Sequence, residues 1–243
     1  MADVTYPPLD TLKPVAEDVW IVDSGPLKLM GVPIPIRMTV IRLASGALLL
    51  HSPTPFRFPL KAELEAIGRV EHLMAPNVAH WSFLKEWQAH FPDAAGWTVP
   101  GLQQRPAVAS ANLRIDGEVG DTPPAAWNDE IETVLVAGAG LAETGVFHRA
   151  SRTLVLTDLV VNLEPQKLPP LMRTGVRLLG SAAPDGKAPV YARLAIGARR
   201  EATAAAARRL VDLAPERVIF AHGAYYAADG AARLRKALDW LIG

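Results

Sequence analysis

Residues 153–161 read TLVLTDLVV. Such a run is too apolar to stand half exposed, so the chain must build a sheet that is covered on both faces. The same run carries Asp158 in its middle, and an unpaired carboxylate there would cost several kcal/mol. The fold therefore has to supply cover for the strand and compensation for the acid. A metal ion, an arginine such as Arg152, or backbone donors at the start of a turn would each serve.

Other segments fill in the frame. Apolar runs at 19–22, 37–43 and 47–51 are separated by turn signals at 23–26 and 45–46, which predicts a meander of antiparallel strands. The period then changes. Residues 59–68 open with Pro59 and close with Gly68, the marks of a short helix, and 70–74 is a brief strand. Ser82 is placed to cap a helix running to about His90, and 96–99 is strand-like. After a polar, irregular stretch at 102–126, strands are expected at 131–137, 143–148 and 153–161. A helix over 197–213, a strand at 218–221 and a last helix capped by Asp229 complete the chain. Residues 1–18 read as an extended arm, and residues 163–195, with five prolines, as a lid or insertion containing a short helix. With no linker at which to cut, a single domain over 1–243 is expected.

Composition removes several function classes. Twenty-five basic residues offset twenty-five acidic ones, so no global field gathers nucleic acid or anionic lipid. The chain has no cysteine, which excludes disulfides, thiolate metal sites and a thiol nucleophile. A tight metal site must then use His, Asp, Glu or Asn. Neither a basic, apolar N-terminal leader nor a membrane-length apolar run occurs, and a cytoplasmic, non-membrane protein acting on a small molecule is the simplest expectation. Oligomeric state is not legible. Gly138-Ala139-Gly140 lacks the third glycine and following helix of a dinucleotide site, and no serine sits in a GxSxG context.

Four polar residues stand where expected strands end or loops begin: His80, His148, Asp158 and His222. Imidazole and carboxylate suit zinc or iron, and three or four converging groups suffice. His51, before two prolines in HSPTP, reads as a ligand, a turn residue or, preferably, a supporting donor behind a ligand. Asn77 lies three residues before His80 and helps it or caps local backbone. Glu143 orients a ligand, acts as an acid, or is a surface carboxylate, and Trp81 floors a pocket or packs in the core. His72 and His90 read as structural.

The pieces RMTVIRLASGALLLHSPTP, APNVAHWSFLKEW with FPDA after it, FHRASRTLVLTDLVVN and VIFAHG, in this order and spacing, resemble the metallo-β-lactamase-fold superfamily and more closely its DUF4336 branch. The resemblance implies an α+β, four-layer αββα sandwich with a site at one edge. It implies that His148 is the metal histidine before the aspartate strand, that Asp158 is the bridging aspartate, and that His222 is the late histidine. The superfamily's HxHxDH motif is reduced here to Asn77-Val78-Ala79-His80-Trp81-Ser82. That implies one zinc or iron ion held by His80, His148, Asp158 and His222, with Asp158 and His80 as the catalytic groups. The expected activity is hydrolysis of an ester, lactone, amide or phosphodiester. The alternatives are a non-catalytic protein that binds a small molecule or protein partner in the old cleft, and a mononuclear iron redox protein.

Overall fold

A computed structural model describes residues 4–29, 32–197 and 200–243. In it β1 (Lys13–Ala16), β2 (Val19–Leu29), β3 (Val32–Arg42), β4 (Ala47–His51), β5 (Arg69–Ala75), β6 (Ala95–Thr98) and β7 (Gly117–Glu118) form one sheet in sequence order. Neighbours are antiparallel from β1 to β4 and parallel from β4 to β7. A second sheet holds β8 (Ile131–Ala137), β9 (Ala142–His148), β10 (Thr153–Val155) and β11 (Arg217–Ile219), in the order β11-β10-β9-β8. There β10 is parallel to β11 and antiparallel to β9.

The two-residue period of the strands generates the layers. In β4, Ala47 and Leu49 point to one side, where they meet Ile21, Ile41 and Met74 of their own sheet and Val146, Val155 and Ile219 of the other. Leu48 and Leu50 point to the opposite side and are covered by α1 (Phe58–Ile67) and α2 (Leu84–His90) through Leu60, Leu64, Leu84 and Trp87. A small helix, α3 (Pro106–Ser110), adds Val108 to that layer. The outer face of the second sheet, with Leu154 and Val218, is covered in the same way. After α4 (Pro170–Leu178), the helices α5 (Val190–Gly197), α6 (Arg200–Asp212), α7 (Gly230–Ala237) and α8 (Asp239–Ile242) supply residues such as Ala192, Leu210, Leu234 and Leu241. Helix, sheet, sheet and helix make the four-layer αββα sandwich. Among the described residues no helix is long and apolar enough to cross a membrane.

Local expectations fail at five places. The arm is strand at β1, paired with β2. The turn signal at 23–26 is a bulge instead, because β2 runs on past Gly25 with a register shift between Ser24 and Leu27. Ser82 and Asp229 cap nothing with their side chains: α2 starts after Phe83, and Asp229 adopts a left-handed φ of 54°. Finally, β10 ends at Val155 rather than extending to 161. Leu156 still bonds Ile219, but the next three amides, of Thr157, Asp158 and Leu159, are taken by the Glu143 carboxylate. The chain therefore bends out of the sheet where Asp158 stands.

Candidate metal centre

The parallel pairs β4–β5 and β10–β11 direct four chain ends to one edge of the sandwich. Ser52 follows β4, Asn77 and His80 follow β5, Asp158 follows β10 and His222 follows β11. Sites outside the carboxyl ends of parallel strands are the common outcome of such connections.

Three ligand-bearing side chains converge there. Potential ligand atoms of His80, Asp158 and His222 all lie within 4.8 Å of one another. Nε2 of His80 is 3.3 Å from Asp158 Oδ2, and Nε2 of His222 is 3.3 Å from Asp158 Oδ1. Each ring is aimed from behind. His222 Nδ1 lies 2.7 Å from the carbonyl of Pro35, and a carbonyl only accepts, so this nitrogen carries the proton. The Nε2 lone pair then faces a carboxylate oxygen, and two acceptors at that distance require a cation between them. A proton or a metal ion satisfies this requirement, so the donor set fits a divalent ion. His80 Nδ1 sits 2.6 Å from Ser52 Oγ, which orients the second ring in the same manner. Ser52 has a left-handed φ of 57°, and its amide is bonded to Met74 O at 3.0 Å, so its hydroxyl is held in place by a strained backbone.

Asn77 joins the loops. Its Oδ1 accepts the amides of Ala79 and His80 at 2.8 and 2.9 Å, closing the turn that presents His80. Its Nδ2 donates to Thr157 Oγ1 and Asp158 Oδ2, both at 2.8 Å. Burial alone would push the Asp158 carboxyl up, but the charge of His80 and hydrogen bonds from His222 and His80 hold it well below the usual carboxylate range. Burial would push His222 down, and its hydrogen bond to Asp158 and that residue's charge reverse this, leaving it raised. Glu143 is buried, and its carboxyl is pushed up by burial and then by the charge of Asp158, against the pull of the amides it accepts. Arg37 pins the loop after β11, pairing with Asp23 at 2.7 Å and donating to the carbonyls of Phe220 and Gly223 at 3.0 and 2.8 Å. Gly223, with φ 96°, packs so closely on Asn162 that a Cβ would come within 2.1 Å of its carbonyl oxygen.

His148 is not brought to this cluster. Because β9 is antiparallel to β10, it begins at the site edge with Glu143 and ends at the far edge, where His148 pairs with Ile131 and with Thr153 at the start of β10. His148 stands five residue steps along the strand from Glu143, roughly 17 Å. The His148 ring is buried and bonded to Ser151 at 2.8 Å, a structural histidine. Trp81 packs against the core around α2 and, among the described residues, does not line the cavity. His51 is buried, near enough to His80 to feel its charge; burial first, and that charge second, lower it to about 3. The residue that touches His80 is Ser52, its neighbour, so the HSPTP loop reaches the cluster through its serine.

The cluster opens into a cavity of about 370 Å³. Leu27, Ile34 and Ile36 line it from the β2–β3 region, and Val176, Leu179 and Tyr191 from the segment containing α4 and α5.

Comparison with known proteins bears on the family and the fold. Residues 16–185 match the family described as a domain of unknown function, DUF4336. No curated protein matches this chain in sequence. Among solved structures, the chain is similar to a metallo-β-lactamase from Pontibacter korlensis, with 15% identity and a TM-score of 0.60 over 95% of this chain and 97% of that one. It is similar also to the metallo-β-lactamase FIM-1 from Pseudomonas aeruginosa in its mono-zinc form, with 10% identity and a TM-score of 0.63 over 99% and 96% of the two chains. At such identities the likeness shows the fold alone.

Proposed function

The chain belongs to the DUF4336 family and has the metallo-β-lactamase fold, and from that premise we propose that it is a metal-dependent hydrolase with a mononuclear site. The observation that supports this reading is the convergence of two oriented imidazoles on one ionised carboxylate at the floor of a cavity. His80, Asp158 and His222 would hold the ion, zinc or iron by the chemistry of the donors. When bound, such an ion supplies Lewis acidity and a water acidified to near neutrality, suited to an ester, lactone, amide or phosphodiester. The protein's own groups do the rest. Asp158, kept ionised by its neighbours, would orient a water, and the Ser52 and Pro35 contacts keep the two rings from turning away. Residues 163–195 would serve as a lid, since Val176, Leu179 and Tyr191 of that segment line one wall of the cavity.

One contact favours a non-catalytic binding protein. Asn77 Nδ2 donates to Asp158 Oδ2 and so occupies one of the lone pairs that a metal would use. Elemental analysis of protein purified without chelator, beside an Asp158→Ala variant, separates the two readings. About one zinc or iron per chain, lost in the variant, supports the hydrolase. No metal after incubation with excess zinc and iron sinks it.

A further inference from the structure

The cavity has a chemical character that the metal cluster alone does not set. Its described lining holds five titratable side chains: Arg37, His80, Asp158, Tyr191 and His222. Three of these are the cluster itself. Tyr191 stands at the rim, 60% exposed, and Arg37, 3% exposed, pairs with Asp23 and donates to two backbone carbonyls, which leaves just its buried Nε without a hydrogen-bond partner among the described residues. No lysine lines the space among the described residues, and Asp158 contributes a negative charge at its floor. An anionic ligand entering here would lose hydration against mostly apolar walls and would meet no lysine among the described lining residues.

The remaining walls are mostly aliphatic: Ile34, Ile36, Val161, Leu163, Val176 and Leu179. The apolar surface also continues outward. Leu27, Leu179 and Tyr191 line the cavity and are nevertheless 38%, 46% and 60% exposed, so large apolar side chains stand in water around the space. Exposed apolar groups contiguous with a pocket mark a ligand site rather than scattered surface residues.

We infer that this cavity binds an uncharged, largely aliphatic small molecule, with one carbonyl-type polar end directed to the His80–Asp158–His222 cluster and its chain lying along Val176 and Leu179 toward the exposed rim. The orientation of the polar end rests on the proposed site. The choice of an uncharged chain rests on the walls. Within the activities proposed above, this selects aliphatic esters, lactones or amides over phosphodiesters.

The test is calorimetric titration of the full chain, treated with chelator so that binding does not depend on a metal, with octanamide and with octyl phosphate. Octanamide is expected to bind roughly tenfold or more tightly than octyl phosphate. Val176→Trp, which fills the space from α4, should weaken octanamide by a similar factor, and Leu179→Trp repeats the block from a second position if the first variant does not fold. Val176→Lys places a cation on the wall and should reverse the preference toward octyl phosphate. Equal or tighter binding of octyl phosphate to the unaltered chain, binding of neither compound, or octanamide affinity unchanged in folded blocked variants would each overturn the inference. A chain that takes up no metal yet binds octanamide refutes the hydrolase and leaves this inference standing. A chain that holds zinc and prefers octyl phosphate does the reverse.

Discussion

The carboxylate of Glu143 accepts the backbone N–H of Asp158 at 2.7 Å, so one buried acid holds the loop that presents another. The same group takes the amides of Thr157 at 2.7 Å and Leu159 at 3.0 Å. Glu143→Gln keeps the size but offers one oxygen where two are used, and turns an NH₂ toward backbone donors. We expect a loss on the order of 1–3 kcal/mol in urea unfolding, together with weaker zinc binding in a chelator competition. Unchanged stability would show that the amides do not depend on the charge.

Ser52→Ala removes the partner of His80 Nδ1 while leaving the ligand atom in place. Zinc affinity should fall roughly 10–100-fold, as is typical when a ligand loses the group that orients it. Ser52→Thr, which restores a hydroxyl, should recover part of the loss. Equal affinity in all three proteins would make the contact incidental.

His222 and His148 should behave differently. His222→Gln is expected to abolish stoichiometric metal uptake, and His148→Gln to leave it intact while lowering the melting temperature, since His148 bonds Ser151 at the opposite edge. Elemental analysis and thermal unfolding of the two variants decide this. Loss of metal in His148→Gln would contradict the placement of β9.

Acid should destabilise the fold through its neutral, buried histidines. Burial lowers both His51, to about 3, and His148. Below the unfolded value of about 6.5 the unfolded chain takes up protons that the folded chain refuses, so their contribution is complete above that pH and is lost as pH falls toward the folded values. For His51 the loss is on the order of 4 kcal/mol by the time the folded value is reached. His222, which is raised, acts in the opposite sense, losing its contribution as pH rises through its folded value. Unfolding free energies between about pH 7 and 5 should therefore fall less steeply in His51→Gln than in the unaltered chain. Identical slopes would mean that His51 charges in the folded state.

Much of this protein is written in local pattern. The apolar runs at 47–51 and 153–161 specify sheets with cover on both faces, because side-chain period and burial are properties of adjacent residues. The absence of cysteine limits any metal donors to nitrogen and oxygen, and Asp158 announces itself as an acid that needs compensation. Its partners, however, are two histidines and an asparagine from other loops, met only when the chain folds. The tertiary structure alone decided that His148 points away from the site and Ser52 toward it. Strand direction and the hand of a tight turn depend on hydrogen bonds between segments far apart in the chain, and periodicity, which is the same read in either direction, carries no record of them.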